Sequence, residues 1–343
     1  MNKKLLLTSA LAGVVAFTGS VMAETKIGGD IEVTLRSHSR DAATDETGGT
    51  GLGSESNVQL EGSKDMDNGM TLNYGFKIDA EDAVGHGERY MGASGDGMYI
   101  GYGDDMGKGI DLDGTVVPHV GDQNDTLPQV AVSFSSSYMD TYSSDSLRVG
   151  FDVLGGNFGL VYAPELGSTN ADSGSPTEAD GPSAYTVGYK GSLGVEGLSV
   201  MAGITKSDEN QTTTTGKAEF TKFGAAYNLG QVSVGFDVQD YDTGHLDTSD
   251  TTTGNQTKRV GATFSASDNL SIGVNYSETE RSLGSGDSFA DRQANTKEEI
   301  TAVTVGYNIA GLGFNFSYAT TDNVGNVSGT DSTGWQIQTK QKF

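Results

Sequence analysis

The 343 residues carry 46 acidic against 21 basic side chains, a formal charge of −25, with 50 glycines, 14 tyrosines, 13 phenylalanines, one tryptophan and no cysteine. So negative a chain repels nucleic acid and other polyanions, and without cysteine it has neither a disulfide framework nor thiol chemistry. A mean hydropathy of −0.36 does not exclude a membrane, because in a transmembrane β-barrel only every second strand residue faces lipid and the loops are hydrophilic.

At the start, Lys3 and Lys4 precede the apolar run Leu5 to Phe17, and Val21-Met22-Ala23 offers small residues for cleavage before Glu24. This is the layout of a signal peptide. The run falls short of the roughly 20 apolar residues of a membrane-spanning helix, and no later segment approaches that length. The expected organisation is a signal peptide over 1–23 and one exported β domain over 24–343.

Strict alternation then sets in. Ile31, Val33 and Leu35 alternate with Asp30, Glu32, Thr34 and Arg36; Met70, Leu72, Tyr74, Phe76 and Ile78 alternate with Thr71, Asn73, Gly75, Lys77 and Asp79. The same period runs through Val232–Val238, Leu270–Tyr276 and Leu312–Tyr318. One face is apolar and the other small, neutral and polar, which suits a wet lumen better than a dry core. Strands are expected at 25–37, 55–63, 70–79, 88–94 and 97–103, and again at 146–153, 157–163, 183–192, 198–207, 218–229 and 231–241. The series closes with 257–267, 270–280, 298–309, 312–320 and 334–343, sixteen in all. Tight turns at 65–69, 95–96, 155–156, 194–197, 230, 267–269 and 310–311 alternate with longer polar stretches at 39–54, 165–182, 208–217, 242–256, 282–297 and 321–333. Short turns on one side and long loops on the other is the asymmetry of an outer-membrane barrel.

One connection is out of proportion: about forty residues, 104–145, separate the fifth strand from the sixth. Connections of that length in a compact fold usually mean function. It holds Asp104, Asp105, Asp111, Asp113, Asp122 and Asp125, with Lys108 and His119 as its positive or titratable partners. Its stretch Gln129–Tyr138 also alternates, so eighteen strands stay open beside the favoured sixteen. The chain ends on Trp335, Ile337, Thr339, Gln341 and Phe343 along one face, a closing strand with an aromatic terminus.

In Asp67-Asn68-Gly69-Met70-Thr71-Leu72-Asn73-Tyr74-Gly75-Phe76, Met98-Tyr99-Ile100-Gly101-Tyr102-Gly103, Ser146-Leu147-Arg148-Val149-Gly150-Phe151 and the terminal Phe343, the chain resembles the general diffusion porins of Gram-negative bacteria, in their shorter alphaproteobacterial form. The resemblance implies an all-β transmembrane antiparallel barrel of sixteen strands, trimeric in the outer membrane. Its third loop would fold into the lumen, and small hydrophilic solutes and ions would pass by diffusion. It also implies that loop acids face basic groups on the lumen wall, for which Lys26, Arg36, Lys77, Arg148, Lys190 and Lys222 have the right parity. A constriction ringed by carboxylates concentrates cations, so weak cation selectivity is expected. No cofactor is expected, although Asp104, Asp105, Asp111 and Asp113 are the oxygens a structural Ca²⁺ would take.

His38, His86, His119 and His245 are scattered without motif spacing, and no nucleophile elbow or phosphate loop occurs, so no enzyme is expected. Two other classes stay in view: a substrate-specific outer-membrane channel, and a secreted acidic adhesin or structural β protein. The second should show a fixed repeat.

Overall fold

The computed structural model describes residues 24–41, 46–79, 85–104, 106–112, 114–120, 141, 145–164, 183–208, 217–242, 252–283 and 296–343. Sixteen strands form one closed sheet, each antiparallel to its neighbours in chain order. They are β1 (Glu24–Asp41), β2 (Glu46–Asp65), β3 (Thr71–Asp79), β4 (Gly85–Gly95), β5 (Met98–Asp104), β6 (Ser146–Val153), β7 (Gly156–Ala163) and β8 (Ala184–Gly191). The second half comprises β9 (Leu198–Ser207), β10 (Glu219–Asn228), β11 (Val232–Asp242), β12 (Thr252–Ser267), β13 (Leu270–Leu283), β14 (Glu298–Ile309), β15 (Leu312–Asp322) and β16 (Asp331–Lys342). A 3-10 turn, Val324–Asn326, follows β15. Gln129–Tyr138, the candidate for extra strands, lies outside the described residues.

Closure leaves no edge. β16 pairs with β1 from Asp30↔Lys342 to Asp41↔Asp331, and the Phe343 and Gly29 main chains exchange hydrogen bonds of 3.1 and 3.2 Å. In a bilayer every backbone polar group must be satisfied internally, and a closed barrel achieves that with strands alone.

The period-two pattern sorts the faces. On β16, Gln336 and Gln338 are each 1 % exposed, whereas Ile337 between them is 44 % exposed. Val234, Phe236, Ile272, Val274, Phe314 and Phe316 likewise stand outward and exposed. Aromatic residues stand opposite one another across strands on that outer face, as at Tyr162↔Tyr185 and Tyr318↔Trp335, and the Phe223 and Phe236 rings pack at 5.9 Å between centroids. A water-facing sheet has no use for such a surface; a lipid-facing one does.

The seven short turns gather at one end with Phe343. Three are two-residue hairpins with both residues at positive φ: Asp96–Gly97, Leu154–Gly155 and Ala310–Gly311. That geometry matches the right-handed strand twist. At the opposite end the structure corrects two sequence readings. Most of the polar stretch 39–54 is ladder, since β1 runs to Asp41 and β2 begins at Glu46, and β12 reaches back to Thr252. The ladder needs main-chain groups only, so Ser, Thr and Gly continue it past the apolar band without a hydropathy signal.

Candidate functional site: a loop inside the barrel

After β5 the chain turns inward. The described residues 106–112 and 114–120 lie against the inner wall, where Ile110 and Leu112 join Val161, Met201, Phe220 and Tyr241 in a buried apolar cluster, with Val116 and Ala218 packed beside it. These wall residues have lumen parity, so the loop carries its own small core into an otherwise polar space. Each side chain so buried contributes about 1.5–3 kcal/mol.

Polar clamps fix the loop's main chain. Arg148, fully buried, donates from Nη1 to Met106 O at 2.6 Å and from Nε to Ser146 Oγ at 3.0 Å. The Lys222 ammonium, 3 % exposed, donates to Leu112 O at 2.8 Å and to Gly114 O. Asn275 Nδ2 donates to Pro118 O at 2.9 Å. Asp237 takes the Arg259 guanidinium at 2.6 and 3.0 Å and accepts from Thr115 Oγ1 at 2.5 Å. The loop thus borrows charge from the wall through carbonyl and hydroxyl oxygens.

On β16, β1 and β2 the inner wall is a charged, hydrogen-bonded track. Glu32, 2 % exposed, accepts from Gln338 Nε2 at 2.5 Å and lies 3.2 Å from Lys340 Nζ. Lys340 also stands 3.9 Å from Asp30, which accepts from Asn57 Nδ2 at 2.8 Å. Gln59 Nε2 donates to Glu61 at 2.8 Å. Water-accessible space opens on two sides of the loop. One recess of about 250 Å³ is lined by Lys26, Glu61, Asn73, Tyr90 and Lys108, and the other of about 380 Å³ by Thr115, His119, Lys190 and Ser199.

Of the loop acids singled out from sequence, Asp104 is buried at the end of β5 and Asp111 is half-buried near Gly114. Asp105, Asp113, Asp122 and Asp125 lie outside the described residues. Among the described residues no group of three or more His, Asp or Glu side chains could hold a metal ion. Arg148 and Lys222 clamp the loop, Lys26 and Lys190 line the two recesses, and Lys77 pairs with Glu88 at 2.5 Å. Arg36 is exposed, between Gln336 and Gly51. Ile337 faces outward, Trp335 stands opposite Tyr318 and Ser37, and the Phe343 ring lies over Gly29. Sequence reading passed over Asp30, Glu32, Lys340, Asp237, Arg259 and Asn275 as site residues. Their inward parity was the available signal, since it is the same parity that marks Arg36 and Lys222.

Residues 8–292 match the family model of the Gram-negative porins. The chain therefore belongs to that family of outer-membrane diffusion channels, which makes it a channel protein. Its fold is similar to OmpT of Vibrio cholerae in a loop-deletion form, with a TM-score of 0.66 at 11% identity, covering 94% of this chain and 99% of that one. It is also similar to a mutant of the Rh. blastica porin, at TM-score 0.56 and 14% identity over 93% and 100%. The outer-membrane channel DcaP of Acinetobacter baumannii gives TM-score 0.62 and 11% identity over 95% and 99%. Identities this low speak for the fold alone. None of the curated proteins matches the chain in sequence.

Proposed function

We propose that this porin is a weakly cation-selective, homotrimeric pore, exported by a signal peptide cleaved before Glu24. The observation that carries the selectivity is the deployment of the wall's cations. Arg148, Lys222 and Arg259 are at most 3 % exposed and are bonded to loop carbonyls or to Asp237. Their charge is spent on holding the loop, and the track of β16, β1 and β2, where Asp30, Glu32 and Glu61 stand with Lys26, Arg36 and Lys340, adds no basic surplus in their place. An acidic surplus along a narrow aqueous path enriches cations and repels anions. The trimer has the support that a similar structure, OmpT of Vibrio cholerae, is described in a trimer form.

The test is single-channel recording of the purified protein in a planar bilayer under a salt gradient. Conductance steps in threes and a reversal potential of cationic sign are expected. A reversal potential at zero, or of anionic sign, overturns the selectivity, and single unlinked steps overturn the trimer. The amino-terminal residue of the protein taken from outer membranes should be Glu24.

A further inference from the structure

The loop rests on a row of glycines. A β-carbon built on Gly159 of β7 would lie 2.5 Å from Ile110 Cγ1, and one on Gly188 of β8 2.8 Å from Ile110 Cγ2. On Gly203 of β9 it would lie 2.6 Å from Leu112 Cδ1, and on Gly224 of β10 2.7 Å from Val116 Cγ2, with Asp237 Cβ of the neighbouring strand at 2.6 Å. On Gly261 of β12 it would meet the Asn275 amide that clamps Pro118, together with Val117 Cγ1 at 2.6 Å and Pro118 O at 2.8 Å, and on Gly306 of β14 Val120 Cγ1 at 2.6 Å. Gly235 and Gly273 meet Pro118 and Val120 in the same way on the intervening strands. Eight successive strands thus each present a bare backbone where the loop passes.

The row is not a rung of the sheet. Gly159, Gly188 and Gly203 are register partners, but Gly224, Gly235, Gly273 and Gly306 each sit two residues nearer the turns than the rung continued from the preceding glycine, with Gly261 level with Gly235. Eight residues of offset over seven strand steps, at about 3.3 Å per residue and about 4.8 Å per strand, is a slope of roughly 40°. That cancels the roughly 35–45° strand tilt of such barrels. The glycines therefore follow one height around the axis, a coincidence that hydropathy and strand propensity do not require; glycine within strands weakens them and marks close backbone approach.

We propose that these glycines are positioning residues for permeation: the level seat they form fixes how far the loop stands from the wall, and so sets the width of the pore. The proposal rests on the porin reading. Two measurements test it in the cysteine-free chain. A β-carbon on Gly273 would lie 3.5 Å from Val120 Cβ, within the about 3.5–4.5 Å that a disulfide spans. The double variant Val120→Cys, Gly273→Cys should therefore cross-link on oxidation in folded, heat-modifiable barrels, with the same single-channel conductance before and after reduction. The wedge Gly261→Val would meet Val117, Pro118 O and the Asn275 amide that clamps Pro118, and so should push the loop inward and lower the conductance. Gly313→Val should not, because its β-carbon meets only Lys340 O at 3.6 Å and no part of the loop. If Gly261→Val fails to assemble, Gly273→Val is the gentler wedge, with its nearest loop atom at 3.1 Å.

Absence of the cross-link in folded protein overturns the seat. A Gly261→Val conductance equal to that of Gly313→Val overturns the positioning role. Failure of the porin reading looks different, since the unaltered protein would then give no channel while the cross-link still formed.

Discussion

Lys222 illustrates how far a residue's role can be read before its partners are known. Its parity put it on the lumen wall, where a porin's basic groups are expected to face the permeating ion. Its ammonium instead sits under the loop, donating to Leu112 O and Gly114 O, and main-chain carbonyls leave no trace in a sequence. The converse holds for Glu32, whose acidity was visible but whose burial with Lys340 was not. This pair supports a sign-resolved prediction. Glu32→Gln removes a negative charge and releases Lys340 toward the water, so the reversal potential in a salt gradient should move toward anions. Lys340→Gln should move it toward cations. Both moving the same way, or neither moving, would count against the track as a selectivity element.

Among the elements, the hairpins were legible because each turn carries its glycine or asparagine and each strand its period of two. The boundaries fell close to expectation wherever an apolar face marked them, and went astray at 39–54, where the β1–β2 ladder continues through Gly, Ser and Thr. The glycine row was equally hidden. Each glycine was in plain sight as a small strand residue, but their common height depends on pairing register, which hydropathy does not encode across eight strands. The closing strand yields a second prediction. Deleting Phe343 removes the two hydrogen bonds to Gly29 and the ring that covers it, opening the seam at the turn end. The truncated chain should accumulate less heat-modifiable barrel in outer membranes than the full chain, as gel mobility before and after boiling will report. Equal amounts would assign the terminal ring no part in closure.

At the scale of the whole molecule, the charge of −25 acts over a distance that salt controls. The Debye length shrinks from about 10 Å at 0.1 M to about 3 Å at 1 M. If the cation preference arises from carboxylates lining a wide aqueous path, the cation-to-anion permeability ratio should fall toward unity between those salt concentrations. A ratio unchanged at 1 M salt would instead point to groups in direct contact with the passing ion.

The seam has a consequence in time. β1 pairs with β16, so residues 30–41 find their partners at 331–342, and almost the entire chain must exist before the first strand has both neighbours. Closing a flexible loop of roughly 300 residues would cost about 5 kcal/mol in chain entropy, so the seam forms most readily after the hairpins between have ordered that chain. Until then β1 and every newly made strand present open edges and apolar outer faces to water, the condition under which chains aggregate. Export and assembly are thereby separated: the chain must cross the periplasm unfinished, and it becomes a barrel only once its last residue has arrived.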